Sequence, residues 1–263
     1  MIKYGDLQFI EMKDDYILIA CDSSGSIGNK KHDSVQIEPE IAGYYGAFVP
    51  LVEVLAVKGK ILSLVDTLSV EMEPTGKRII NGIQQALKEL NIDDHLLTGS
   101  TEDNIPTTST GIGVTVIGQI AKQAIESKQV NNTHSLILMG LPKVGEEFVN
   151  EELIEQQGET LTLDLMKHLT TLTLIDDMIP VGSKGIAYEA NVLSKRNNLL
   201  VSLYSIKHKD KRIDYNKSAG PSTCLLACID KNRVSEFIRI VKTINTTIPI
   251  NEIGKFEDYR DID

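Results

Sequence analysis

The chain has 263 residues, 41% of them hydrophobic, and a formal net charge of −10. That apolar content suffices for one large packed domain or two ordinary ones and argues against a disordered chain, while an acidic surface repels a phosphate backbone and disfavours DNA or RNA as a partner. With no Trp and only 5% aromatic residues, the core has to rest on Ile, Leu and Val.

The predicted elements alternate between strand and helix. Tyr16–Cys21 is a short apolar, β-branched run that reads as a buried strand. DSSGSIGNKKHD (22–33) follows it as a glycine-bearing loop with an aspartate at each end. From Pro39 to Val57, Ile41, Tyr44, Tyr45, Phe48, Leu51, Val52 and Leu55 recur at three- and four-residue spacing, which predicts a helix. Pro50 predicts a kink or split within it, and Gly59 a stop. Ile61–Ser69 predicts a second strand, and Pro74 opens a second helix whose apolar face is Ile79, Ile80, Ile83, Ala86, Leu87 and Leu90. A short strand at Leu96–Leu97 leads into the polar loop TGSTEDNIPTTST (98–110). Ile112–Ile120 is a further strand, and Gly111, Gly113 and Gly118 predict close backbone approach along it. Strand, helix, strand, helix, strand is an α+β, ferredoxin-like order.

The polar stretch ESKQVNNT (126–133) predicts a domain boundary, dividing the chain into 1–128 and 129–263. The second part opens with a strand at Ser135–Met139 that runs into GLPKVGEE (140–147). A helix over Leu161–Leu169, a turn IDDMIPVGSKGIAYEA (175–190) and a polar linker KHKDKRIDYNKSAGPS (207–222) come next. A strand at Cys224–Ile229, a helix at Ser235–Lys242, a short strand near Ile248–Ile250 and a solvated tail KFEDYRDID complete the reading. Cys21, Cys224 and Cys228 form no disulfide framework and read as free thiols, which suits a reducing cytosol. The N-terminus has no signal-peptide core, and no apolar run approaches the roughly 18 residues a membrane span needs. A cytoplasmic protein with no membrane partner is expected.

The placement of carboxylates points to chemistry. Asp22 and Asp33 flank the opening loop, Glu53 and Asp66 interrupt apolar runs, and Glu102 and Asp103 follow a short strand. An acid inside an apolar run costs several kcal/mol to bury unless it is paired or meets a cation, and Mg²⁺ takes oxygen ligands shared with substrate phosphates. Gly25 and Gly28 let backbone N–H groups turn toward an anion, with Lys30 or Lys31 adding charge. This loop is not a Walker A sequence, and neither GxSxG nor HExxH occurs, so serine and zinc hydrolysis are poor fits.

Five segments together resemble the aminoimidazole-ribonucleotide (AIR) synthetase superfamily, which includes thiamine-monophosphate kinases and selenophosphate synthetases. CDSSGSIGNK is similar to its TDGVGTK-type loop, and PEIAGYYGAFVPLVEVLAVKGKILSLVDTLS to its NDIxxxGAxPLxxLDY stretch. LLTGSTEDNIP resembles its GGET or GGDT loop, LILMGLPKVGEE its GLPSxG turn, and GPSTCLLACIDKNRVSEFIRIV its closing strand and helix. The resemblance implies an α+β fold of two domains: an N-terminal ferredoxin-like half-barrel that dimerises, and a C-terminal α/β domain. It also implies ATP and Mg²⁺ as cofactors.

Carried over by position, Asp22 matches the loop aspartate, Glu40 the aspartate of NDI, Asp66 that of LDY, and Asp103 an acid just past GGET. Ser100 stands where the family has an acid, so Glu102 or Asp103 would supply oxygen there. The implied metal set is Asp22, Glu40, Asp66, Glu102 and Asp103. The implied nucleotide-facing set is Gly25, Ser26, Gly28, Lys30, Lys31, Ser100, Thr101, Gly140, Lys143 and Gly182. Asp33, Asp177 and Lys184 are the candidate catalytic residues. The SDG motif of the thiamine-monophosphate kinases is missing, with PVGSKG in its place. The short chain and VGSKG turn resemble the group that includes α-ribazole kinase, which implies a nucleoside-like alcohol as phosphoryl acceptor and a homodimer. Two other readings stay open: ATP-dependent amide activation for ring closure or amine attack, and a non-catalytic nucleotide-binding regulator.

Overall fold

In the computed structural model, residues 2–205 and 210–258 are described. The first unit, which extends to Lys122, begins with a hairpin, β1 (Ile2–Tyr4) and β2 (Leu7–Glu11), turned at Gly5, whose φ of 68° suits glycine. Sequence reading missed this hairpin. Next come β3 (Asp15–Gly25), the two-residue strands β4 (Ile27–Gly28) and β5 (Val35–Gln36), helix α1 (Pro39–Ala56) and strand β6 (Lys60–Leu68). A π-helical turn at Met72–Gly76 feeds α2 (Lys77–Glu89), and β7 (Leu97–Thr101) and β8 (Gly111–Ala121) complete the unit's sheet.

Six strands form that sheet in the order β1-β2-β3-β8-β6-β7, antiparallel except for the β6–β7 pair. Alternation decides which face is covered. Leu18, Ala20, Leu64, Leu68, Ile112, Val114 and Val116 are all buried on the side that α1 packs against. α2 in turn packs on α1, and the two helices approach so closely that a Cβ at Gly43 or Gly82 would run into the other helix's backbone. Tyr44 adds a tie by donating to Glu89 at 2.7 Å.

Three local expectations change here. α1 continues through Pro50 as one helix, with Pro50 buried. DSSG (22–25) extends β3 and is not loop, because it pairs with β8 along its whole length. TGST (98–101) likewise belongs to β7, paired parallel to β6.

The second unit spans residues 123–263. A short helix, α3 (Lys122–Glu126), precedes β9 (His134–Met139). Then come α4 (Glu146–Phe148), a π-helical turn at Val149–Ile154, α5 (Leu163–Thr171), β10 (Asp177–Pro180), α6 (Gly185–Arg196), β11 (Leu200–Leu203), β12 (Leu225–Asp230), α7 (Val234–Ile244) and β13 (Ile250–Glu257). Its five-stranded antiparallel sheet runs β10-β12-β9-β13-β11. One face packs on α6 through Leu136, Leu138, Ile179, Ile186, Ala190, Leu193, Leu226 and Phe256.

The stretch read as a turn (175–190) thus contains a strand and the start of a helix. Part of the expected solvated tail, Lys255–Glu257, ends β13, with Phe256 only 1% exposed; its last five residues, 259–263, lie outside the described residues, as do positions 206–209 of the linker. Among the described residues, no helix is long and apolar enough to cross a membrane.

Candidate functional site

The sheet register of the first unit brings two of the predicted acids into one row. Asp22 on β3 and Asp66 on β6 both pair with Val114 of the strand between them, β8. Directly paired residues share a face, so both carboxylates lie on the helix-covered side, with backbones roughly 10 Å apart at two strand spacings. Asp66 is only 2% exposed, and its Oδ1 accepts no hydrogen bond. Burial pushes its pKa up to about 6. Burial also raises that of Asp22, against a hydrogen bond from the Ser23 backbone. No cation contributes to either shift. Gly99, the register partner of Asp66 on β7, makes room for the carboxylate, and a Cβ there would overlap it.

The loop after β3 is bound to the chain before β8 by a dense set of hydrogen bonds, and Asp33 is their hub. It is 7% exposed. Oδ1 accepts from Thr110 N at 2.6 Å and Ser109 Oγ at 3.0 Å, and Oδ2 accepts from Thr110 Oγ1 at 2.7 Å and Lys30 N at 2.8 Å. Burial raises its pKa, but these hydrogen bonds outweigh burial and hold the carboxyl below its ordinary value. With about four acceptor positions on a carboxylate, none is left for an acceptor hydroxyl. Asp33 therefore holds the loop in shape and is badly placed to serve as the catalytic base expected of it. Gly28 packs against the same tie: a Cβ there would come within 2.8 Å of Asp33 Oδ2. Ser26, at φ 59°, bonds Ser109 through its hydroxyl at 2.9 Å. Lys30 Nζ donates to Glu71 Oε2 at 2.6 Å and to the Thr107 carbonyl at 3.0 Å, which leaves one of its three N–H groups. Lys31 and Gly25 are exposed.

The other predicted metal ligands are engaged with protein donors. Glu40 accepts from Arg78 Nε and Nη2, each at 2.7 Å. Glu102 accepts from the backbones of Asn104 (2.8 Å) and Ile105 (3.1 Å). Asp103 accepts from Met72 N (2.8 Å) and Thr101 Oγ1 (2.6 Å), and these bonds lower its pKa. Ser100 pairs with Thr67 on the opposite, exposed face of the sheet. Among the described residues no group of three or more His, Cys, Asp or Glu side chains is arranged to hold a metal ion. A hard cation therefore fits Asp22 and Asp66, which offer oxygen without a counter-charge, and does not fit Glu40, Glu102 or Asp103 as they are bonded.

In the second unit, Asp177 is 2% exposed and takes Arg196 Nε and Nη2 at 2.7 Å, Asn197 Nδ2 at 2.9 Å, Met178 N at 3.0 Å and the Lys128 ammonium. Burial raises its pKa, and the Arg196 and Lys128 charges more than reverse that. It is a structural anchor, not an available base. Lys143 is 2% exposed and held by Glu151, Glu152 and Glu159. Gly140, at φ 83°, is buried against the Thr223 carbonyl. Neither presents a group at the surface for a nucleotide. Gly182 is half-buried and Lys184 exposed, its Nζ 4.3 Å from the Tyr188 ring centre. An open cleft of ≈ 470 Å³ lined by His134, Ser135, Tyr204 and Glu252 among others includes none of the predicted residues.

Sequence reading missed Glu71, Arg78, Gly99 and Thr110. Gly99 carried a readable signal, a glycine within a polar stretch next to a candidate ligand loop, whereas the other three act through partners 30 to 80 positions away.

No protein-family model and no curated protein matches the chain. Solved structures do. Thiamine monophosphate kinase from Aquifex aeolicus superposes at TM-score 0.61 and 17% identity, over 96% of this chain and 89% of that one. AaThiL complexed with AMPPCP and TMP gives 0.61 and 17% over 96% and 84%, and the HypE–HypF complex 0.63 and 17% over 92% and 84%. T. maritima PurL complexed with AMPPCP gives 0.61 and 12% over 95% of this chain but only 42% of that one. The likeness establishes the architecture: an α+β, AIR-synthetase-like fold with a half-barrel sheet.

Proposed function

We propose that the protein is an ATP- and Mg²⁺-dependent phosphotransferase acting on a small nucleoside-like alcohol. The observation that carries the reading is Asp66, a buried carboxylate with an unpaired oxygen and no counter-cation, across one intervening strand from the half-buried Asp22. An uncompensated buried acid is a standing cost unless something else pairs with it. Two carboxylates suit Mg²⁺, which takes one or two from a protein and completes its shell with phosphates and water. Structures of the same fold bind AMPPCP, an ATP analogue.

Mg²⁺ on Asp22 and Asp66 would neutralise charge developing on the transferred phosphoryl group. The remaining N–H of Lys30, with Lys31, would hold phosphate oxygens beside the loop that Asp33 fixes. Lys184, in the second unit, stays a candidate for contact with substrate. Phosphoryl transfer depends mainly on position and electrostatics, so the loss of Asp33 and Asp177 as bases does not weaken it. The uncovered face of the first sheet, with Ile10 39% exposed and Ile17, Ile19, Val65 and Ile117 half-buried on it, supports a homodimer formed through that face.

The acceptor we put first is α-ribazole. Purified protein with ATP and Mg²⁺ is expected to give a phosphorylated nucleoside, detected by mass spectrometry, with ATP consumed only when acceptor is present. No phosphorylated product across a panel of nucleosides would overturn the kinase reading. One other chemistry stays in view, amide activation by ATP, and an aminated or dehydrated product would identify it.

A further inference from the structure

Asp66 on β6 and Glu40 on α1 are treated in opposite ways. Asp66 is left with an orphan oxygen. Glu40, the first-turn acid of α1, is gripped on both oxygens by one guanidinium: Arg78 Nε reaches Oε1 and Nη2 reaches Oε2, both at 2.7 Å. Nη2 also takes Glu38 Oε2 at 2.6 Å. The fold enforces this contact. Arg78 and Gly82 lie four residues apart on one face of α2. Gly82, lacking a Cβ, lets the α2 backbone rest on the carbonyl of Glu40 itself, and this seats Arg78 at the Glu40 carboxylate. The fork-to-carboxylate geometry is the strong, planar form of the ion pair, which a compact ammonium cannot reproduce.

We infer that Arg78 is a built-in cation that occupies the position a divalent ion would take at Glu40, so that the chain holds its metal through Asp22 and Asp66 without Glu40. This rests on the metal reading given above but is separable from it. The guanidinium fills both Glu40 oxygens and is always charged, so a metal could reach them only by displacing a bidentate partner.

The test counts Mn²⁺ bound to the intact protein from the electron paramagnetic resonance signal of the free ion, with circular dichroism as a check on folding. Wild type and Glu40→Gln are expected to bind Mn²⁺ equally, while Asp66→Asn weakens binding by about tenfold or more. Arg78→Gln is expected to gain Mn²⁺ binding that the Arg78→Gln/Glu40→Gln double variant lacks. Loss of Mn²⁺ from Glu40→Gln together with loss from Asp66→Asn would overturn the assignment of Arg78 and leave the metal reading standing. If Arg78→Gln gains no ion, Arg78 is not holding a cation position and the inference fails. Retention by Asp66→Asn, or no binding by the wild type, would overturn both.

Discussion

Asp66 in the first unit and Asp177 in the second are equally buried, each 2% exposed, and their surroundings are opposite. Asp177 is met by a guanidinium, an ammonium, a side-chain amide and a backbone N–H, whereas Asp66 Oδ1 meets nothing. Burying a charge is costly in both places. At Asp177 the chain supplies the compensation itself, which marks a structural group. At Asp66 one oxygen has no such partner, and on the proposed reading a bound cation supplies it. The largest expected effect breaks the pair apart. Asp177→Asn takes the carboxylate charge away from Arg196 and Lys128, which are only 9% and 14% exposed, and should cost about 3–5 kcal/mol of stability in urea unfolding. Asp66→Asn should cost none at neutral pH, because it removes an uncompensated charge, yet it should abolish phosphoryl transfer. Equal destabilisation by the two substitutions would show that Asp66 is a structural acid after all.

The pH dependence sharpens the same contrast. Burial raises the Asp66 pKa from its ordinary 3.8 to about 6, so between those values the folded chain binds more protons than the unfolded one. Stability must then fall as pH rises through that window: the penalty is absent below it and complete above it. Asp177 has the opposite sign, since its pKa is lowered in the fold and its contribution is lost as pH falls. Urea unfolding of wild type and Asp66→Asn from about pH 4 to about pH 7 isolates the Asp66 part. The variant's advantage should grow with pH and level off above about 6, and millimolar Mg²⁺ should erase it at neutral pH. An advantage independent of pH would remove the case for a strained carboxylate.

Much of this is legible in the sequence, and the remainder has a physical explanation. Periodicity located β3, α1, β6, α2 and β8, because one-sided burial writes a repeat of two or of three to four into the sequence. It also flagged Asp66, since an acid in ILSLVDTLS breaks an apolar run. Pairing decided the rest. DSSG looked like loop because small polar residues are common in turns, yet eleven residues of β3 are held by a matching length of β8. Asp33 and Asp177 looked like free acids because the donors that occupy them lie far off in sequence, at Ser109 and Thr110 in one case and at Arg196 and Asn197 in the other. Lys143 joined the nucleotide-facing set only through the resemblance, while three glutamates within 16 residues hold it in the fold.

Two lysines of the second unit repeat the contrast on a smaller scale. Burial pushes the Lys143 pKa down, but its three glutamates hold it well above the ordinary value, so its charge serves the fold. Lys184 is exposed at the start of α6, over the face of Tyr188. A cation over an exposed ring contributes no more than about 1 kcal/mol, so Lys184→Ala should leave the melting temperature nearly unchanged. On the proposed reading that charge acts on a substrate, and the same variant should lower kcat for transfer from ATP. If kcat and KM both match the wild type, Lys184 has no part in the proposed transfer, whatever it contributes beside Tyr188.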